Sequence, residues 1–78
     1  MKWQDRITVD PQVGRGKACI LGTRVMVSVI LDNFADGTSR VELLANYPSL
    51  VNEDIDAAIA YAAELVREHV VPLPSGAA

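Results

Sequence analysis

The sequence predicts a mostly α-helical single domain with a small N-terminal β-ribbon and a three-helix core. Three observations carry this. Residues 6–10, "RITVD", alternate with β-branched side chains inside, and two more apolar runs flank Gly22-Thr23. From Val27 the apolar spacing changes from two to three-and-four, the period of a helix. Cap and turn residues at Asp36-Gly37, Ser39 and Tyr47-Pro48 then divide the remainder into three segments. The predicted organisation is a ribbon over 1–26, a helical core over 27–70 and a tail over 71–78.

Each element has its own signal. The first strand ends at Asp10-Pro11, and "VGRGK" (13–17) follows as a glycine-containing loop. "ACIL" and "RVMV", separated by Gly22-Thr23, suit a hairpin. The first helix places Val27, Ile30, Leu31 and Phe34 on one face, with Ser28 near its start to accept an orphan N–H and Gly37 at its left-handed end. Ser39-Arg40-Val41-Glu42 is a capping box, and the short second helix is expected to bury Val41, Leu44 and Ala45. The residue before Pro48 avoids the α region, so Tyr47 stops it. The third helix starts near Asn52, with Glu53, Asp54 and Asp56 complementing its dipole. Its expected apolar stripe is Ile55, Ala58, Ile59, Ala62, Val66 and Val70, ending before Pro72.

A chain of 78 residues, half of them hydrophobic, has little room for a core of its own. One cysteine excludes an intrachain disulfide, and one Cys with one His does not make a zinc site. A homodimer or higher oligomer is the expected remedy, through the ribbon edge and the alanine-rich stripe of the third helix. Met1-Lys2-Trp3-Gln4-Asp5 is not followed by a signal-peptide core, and no apolar run has the length of a membrane span. A cytoplasmic, non-membrane protein is the expectation. The net charge of −3 is unevenly spread. Residues 1–24 carry five basic and two acidic side chains, and residues 25–78 carry two basic and eight acidic ones. This suggests different partners for the two halves.

Several constellations fail their chemistry. "GRGK" lacks the first glycine of a phosphate loop, where Pro11 stands, and Ala18 replaces the hydroxyl residue that holds magnesium. Glu53, Asp54 and Asp56 have no further ligand nearby in sequence and read as helix-start acids. Cys19 has no adjacent base and is expected buried and inert; His69 sits near a helix end as a structural or solvated group. No nucleophile–base pair is recognisable, so no catalysis and no cofactor are expected. Residues 39–68 have a helix-turn-helix layout. A reader of this type offers bases the start of its second helix, here Asn52 among repulsive carboxylates. Arg6, Arg40 and Asn52 are the weak DNA-contact candidates.

Together, "ITVDP", "ILGTRVMV", "DGTSRVELLANYPSL" and "EDIDAAIAYAAE" resemble a family of short prokaryotic proteins catalogued as a domain of unknown function and associated with VapB-type antitoxins. The resemblance covers residues 6 to about 64. It implies a homeodomain-like or winged helix-turn-helix behind a β-ribbon, and a PIN-like ribonuclease toxin as partner. Two departures stand out. Ala18 replaces the proline that follows the loop lysine in the family, and Val51-Asn52 replaces its Thr-Pro, which is expected to move the helix cap to Asn52.

In "ILGTRVMV", Gly22 supplies the backbone freedom of a turn and Thr23 a local hydrogen bond. Arg24 is not needed by that turn. Nucleases of the PIN type hold magnesium with carboxylates, so Arg15, Lys17 and Arg24 are the candidate partner-binding residues. The alternative for Arg24 is a pair with one of the chain's own acids. The expected function is therefore a non-catalytic antitoxin-like protein that neutralises a PIN-like ribonuclease toxin and autoregulates its operon. A DNA-binding helix-turn-helix transcriptional regulator, contacting operator DNA without a toxin partner, is the second reading. A phosphate-binding or hydrolytic subunit is the third.

Overall fold

The structure is a computed structural model that describes residues 2–9, 11, 12 and 16–68. The expected turn at Asp10, the loop residues Val13, Gly14 and Arg15, His69, Val70 and the tail lie outside the described residues. The order is a 3-10 turn at Trp3–Asp5, then β1 (Ile7–Val9), β2 (Ala18–Ile20), α1 (Val27–Ala35), α2 (Arg40–Asn46) and α3 (Asn52–Glu68). The fold is thus mostly helical, with three helices and a two-stranded antiparallel sheet. Among the described residues no helix is long and apolar enough to cross a membrane.

The strand partners differ from the expected hairpin. β2 pairs with β1, in the register Ile7↔Ile20, Thr8↔Cys19 and Val9↔Ala18. "RVMV" contributes only one bridge, Cys19↔Met26, and the bond from Ile20 N–H to Val25 C=O at 2.9 Å. The return strand is cut short because Val27 already opens α1, where its face with Ile30 is buried in the core. Ile7 and Ile20, paired across the ribbon, are buried against Val27, Ile30, Leu43, Leu50 and Ile55. The ribbon therefore forms one wall of the core.

Ser28 does not cap α1. The N-cap position is Met26, with no side-chain cap bond, and Ser28 is exposed inside the first turn. The other end follows the expectation. Gly37 has φ +89°, its N–H donates to Phe34 C=O at 3.0 Å, and Thr38 N–H donates to Asn33 C=O at 2.9 Å. These two bonds are a Schellman ending, which requires the left-handed residue that glycine provides. Ser39 and Glu42 make both bonds of the capping box at the start of α2.

Two helical faces are rotated from those expected. In α2 the buried residue is Leu43, with Leu44 and Tyr47 packed beside it, while Val41 is 78% exposed and Ala45 is exposed. Positions 41, 44, 45 and positions 43, 44, 47 fit a helix equally well, and the larger side chains win the core. In α3, Ile55, Ala57 and Ala58 are fully buried, but Ile59 is 43% and Val66 70% exposed. Two contacts from the N-terminal segment turn this helix. Arg6 draws Asp54 inward, and Trp3 donates its indole N–H to Glu64 and packs edge-to-face on Tyr61 at 4.9 Å between ring centroids. Ile55 and Ala58 are thus committed to the chain's own core, while Ile59 and Val66 of the same expected stripe stay exposed.

Candidate functional site

The loop between β2 and α1 is a built turn. Thr23 N–H donates to Ile20 C=O at 3.0 Å, and the Thr23 hydroxyl donates to the same oxygen at 2.8 Å. Val25 N–H in turn donates to Thr23 Oγ1 at 3.1 Å. Gly22, third in the turn, has φ +80°, a region where L side chains are strained. Leu21 N–H is held by Arg6 C=O at 2.8 Å, which ties the turn to β1. The result is a fixed knuckle that presents an apolar and a basic side chain. Leu21 is 60% exposed, and Arg24 is exposed and forms no ion pair within the described residues.

Of the three candidate partner-binding residues, Lys17 and Arg24 are described, and they stand at opposite ends of β2. Lys17 is exposed just before β2, while Arg24 lies past its far end. Arg15 lies outside the described residues. Lys17 instead borders a separate groove of about 460 Å³ between β2, α1 and α3, with Val27, Leu31, Tyr61 and Leu65 among its lining.

The start of α3 is an ionic assembly. Its cap is Val51, whose C=O accepts from Asp54 N–H at 3.0 Å, so Asn52 is the first helical residue rather than the cap. Asp54 Oδ2 accepts from Val51 N–H at 3.0 Å, and its Oδ1 holds Arg6 Nη1 at 3.0 Å. Its side chain is 9% exposed, so this is a largely buried carboxylate with both oxygens engaged. Asp56 Oδ1 holds Arg40 Nη1 at 2.9 Å, and the same guanidinium reaches Asn52 C=O at 3.3 Å. Arg40, first in α2, thus clamps the start of α3. Of the three DNA candidates, Arg6 and Arg40 are occupied internally and Asn52 is exposed.

Sequence reasoning identifies Asp54 as a helix-start acid but misses its arginine. The signal available is its spacing, since Asp54, Ala58 and Tyr61 stand at i, i+4 and i+7 on the inward face. Beside the Arg6–Asp54 pair opens a depression of about 450 Å³ lined by Lys2, Asp5, Arg6, Leu21 and Asp54. Leu21, in the same turn as Gly22, also lines this depression, so the knuckle's apolar side chain borders a surface of mixed charge. Among the described residues no three His, Cys, Asp or Glu side chains come together as a metal site. Cys19 is 1% exposed, and its thiol donates to Lys17 C=O.

Comparison with known proteins gives a family and a fold. A family model described as "Protein of unknown function (DUF433)" matches residues 7–62. The chain is similar to the crystal structure of a DUF433 member protein from Anabaena variabilis ATCC 29413, with 37% identity and a TM-score of 0.77. The likeness covers 83% of this chain and 64% of that one, so the chain spans less than two thirds of that relative. No curated protein matches. The chain belongs to the DUF433 family of proteins of unknown function.

Proposed function

We propose that the chain is a non-catalytic, antitoxin-like binding protein of VapB type, which neutralises a PIN-like ribonuclease by offering it Arg24 on the Gly22 knuckle. One observation carries this reading. Arg6 and Arg40 are neutralised by carboxylates of the same chain, while Arg24 is exposed, unpaired within the described residues and held on a fixed turn. A guanidinium presented in this way suits bidentate pairing with a carboxylate cluster. Its neighbour Leu21 adds apolar area at the centre of the contact. The test is an RNA-cleavage assay with the nuclease encoded in the adjacent reading frame. Stoichiometric inhibition by this chain is expected, and full activity of the nuclease beside an excess of the chain rejects the reading.

The second reading is a homeodomain-like helix-turn-helix regulator, with or without the toxin. It is favoured by the Arg40 clamp between α2 and α3, which sets a short helix against the start of a longer one, and by the exposure of Asn52. It is opposed by exposed Glu53 at that start, which repels phosphates. Binding to the chain's own promoter that falls steeply with salt supports it.

A further inference from the structure

We propose that a second copy of this chain docks on the outer face of α3, antiparallel, about a two-fold axis near Ala63. Asn52, Asp56, Ile59, Ala63 and Val66 recur at spacings of four and three, the seam of a two-helix coiled coil. This seam is turned away from the chain's own core, which takes Ile55, Ala57, Ala58 and Tyr61 from the same helix. Ile59 is 43% and Val66 70% exposed, and Ala63, between them, leaves room for a close approach. α3 therefore carries two apolar faces, of which the fold covers one.

Charge selects the occupant and its direction. The first charged position of the seam is an acid, Asp56, and the seam ends beside a base, Arg67. Arg67 is exposed and forms no ion pair within the described residues. Asp56 is half exposed and uses Oδ1 for Arg40, with no partner for Oδ2 among the described residues. An antiparallel mate placing Ile59 against Val66 of the other copy brings each Arg67 within about 3 Å, along the axis, of the level of the opposing Asp56. A parallel mate sets acid on acid and base on base. The face is thus complementary to itself under a two-fold rotation, the property an isologous dimer requires. The inference does not depend on the nuclease reading, since the knuckle lies outside this seam.

The experiment is sedimentation equilibrium of the full chain and of Ile59→Asp/Val66→Asp, with far-ultraviolet circular dichroism as the control for folding. A reversible dimer is expected, with at least about tenfold weaker association in the double variant and unchanged helicity. Wild-type protein that remains monomeric at high micromolar concentration overturns the proposal. So does a dimer undiminished in the double variant, which places the contact elsewhere. Charge and direction have their own readouts. Arg67→Glu weakens the dimer and adding Asp56→Lys restores it; no restoration contradicts the pairing. Ala63→Cys forms a disulfide-linked dimer under mild oxidant and Asn52→Cys does not; equal linkage at both sites overturns the antiparallel arrangement. Native Cys19, which is buried, supplies the unlinked control.

Discussion

The knuckle at Gly22 and the start of α3 both carry arginines on a small acidic protein, yet they treat them in opposite ways. At α3, Arg6 meets a largely buried carboxylate and Arg40 spans two helices. Each is absorbed into the fold. At the knuckle, hydrogen bonds from Thr23 and Val25 complete the turn without Arg24, whose guanidinium stays in solvent. A basic residue count therefore overstates the charge available to a partner. What remains after internal pairing is a narrower and more specific surface.

The largest effect that would sharpen this contrast is expected at Asp54. Asp54→Ala removes an ion pair and the acceptor for Val51 N–H, and it leaves Arg6 uncompensated. A loss of about 3 kcal/mol is expected, on the order of 15 °C in Tm, read by thermal denaturation. Gly22→Ala should come next. Nothing lies within 4 Å of a Cβ built there, so only the backbone strain at φ +80° acts. The expected loss is about 1 to 2 kcal/mol, with Gly22→Asn losing less, because asparagine tolerates this region better. Ser39→Ala removes one half of a complete capping box and should lose about 1 kcal/mol. Arg40→Ala breaks a pair whose side chains are 39% and 51% exposed, and a loss below about 0.5 kcal/mol is expected in chemical denaturation. A large loss at Arg40 with a negligible one at Asp54 would reverse the ranking on which the comparison rests.

The elements bounded by cap and turn chemistry were legible from sequence. Gly37 and the Ser39–Glu42 box end one helix and start the next where the residue types require it. Gly22 and Thr23 take their anticipated roles. Long-range partners were not legible. Nothing local says that β2 pairs with β1 rather than with its own return segment, or that Arg6 finds a carboxylate 48 residues away. The N-terminal turn was missed for the same reason, since Trp3 is an isolated aromatic until α3 supplies Tyr61 and Glu64. Periodicity located α3 and placed Ile55 and Ala58 inward, but it put Ile59 and Val66 on the same face, because the contacts of Arg6 with Asp54 and of Trp3 with Glu64 and Tyr61 are not local. The exposure of Arg24 was legible, because the turn does not need it, whereas its separation from Lys17 by the length of β2 was not.

Calorimetric titration of a PIN-like ribonuclease with wild-type, Arg24→Ala and Arg40→Ala chains tests the proposed role of Arg24 most directly. Truncating an interfacial arginine that pairs with a carboxylate should raise Kd at least about tenfold, with Tm unchanged. Arg24→Lys should recover only part, because an ammonium does not reproduce a bidentate fork. Arg40→Ala should bind as wild type does. Unchanged affinity of folded Arg24→Ala, or an equal loss at Arg40, would contradict the assignment of the free guanidinium as the partner-facing group.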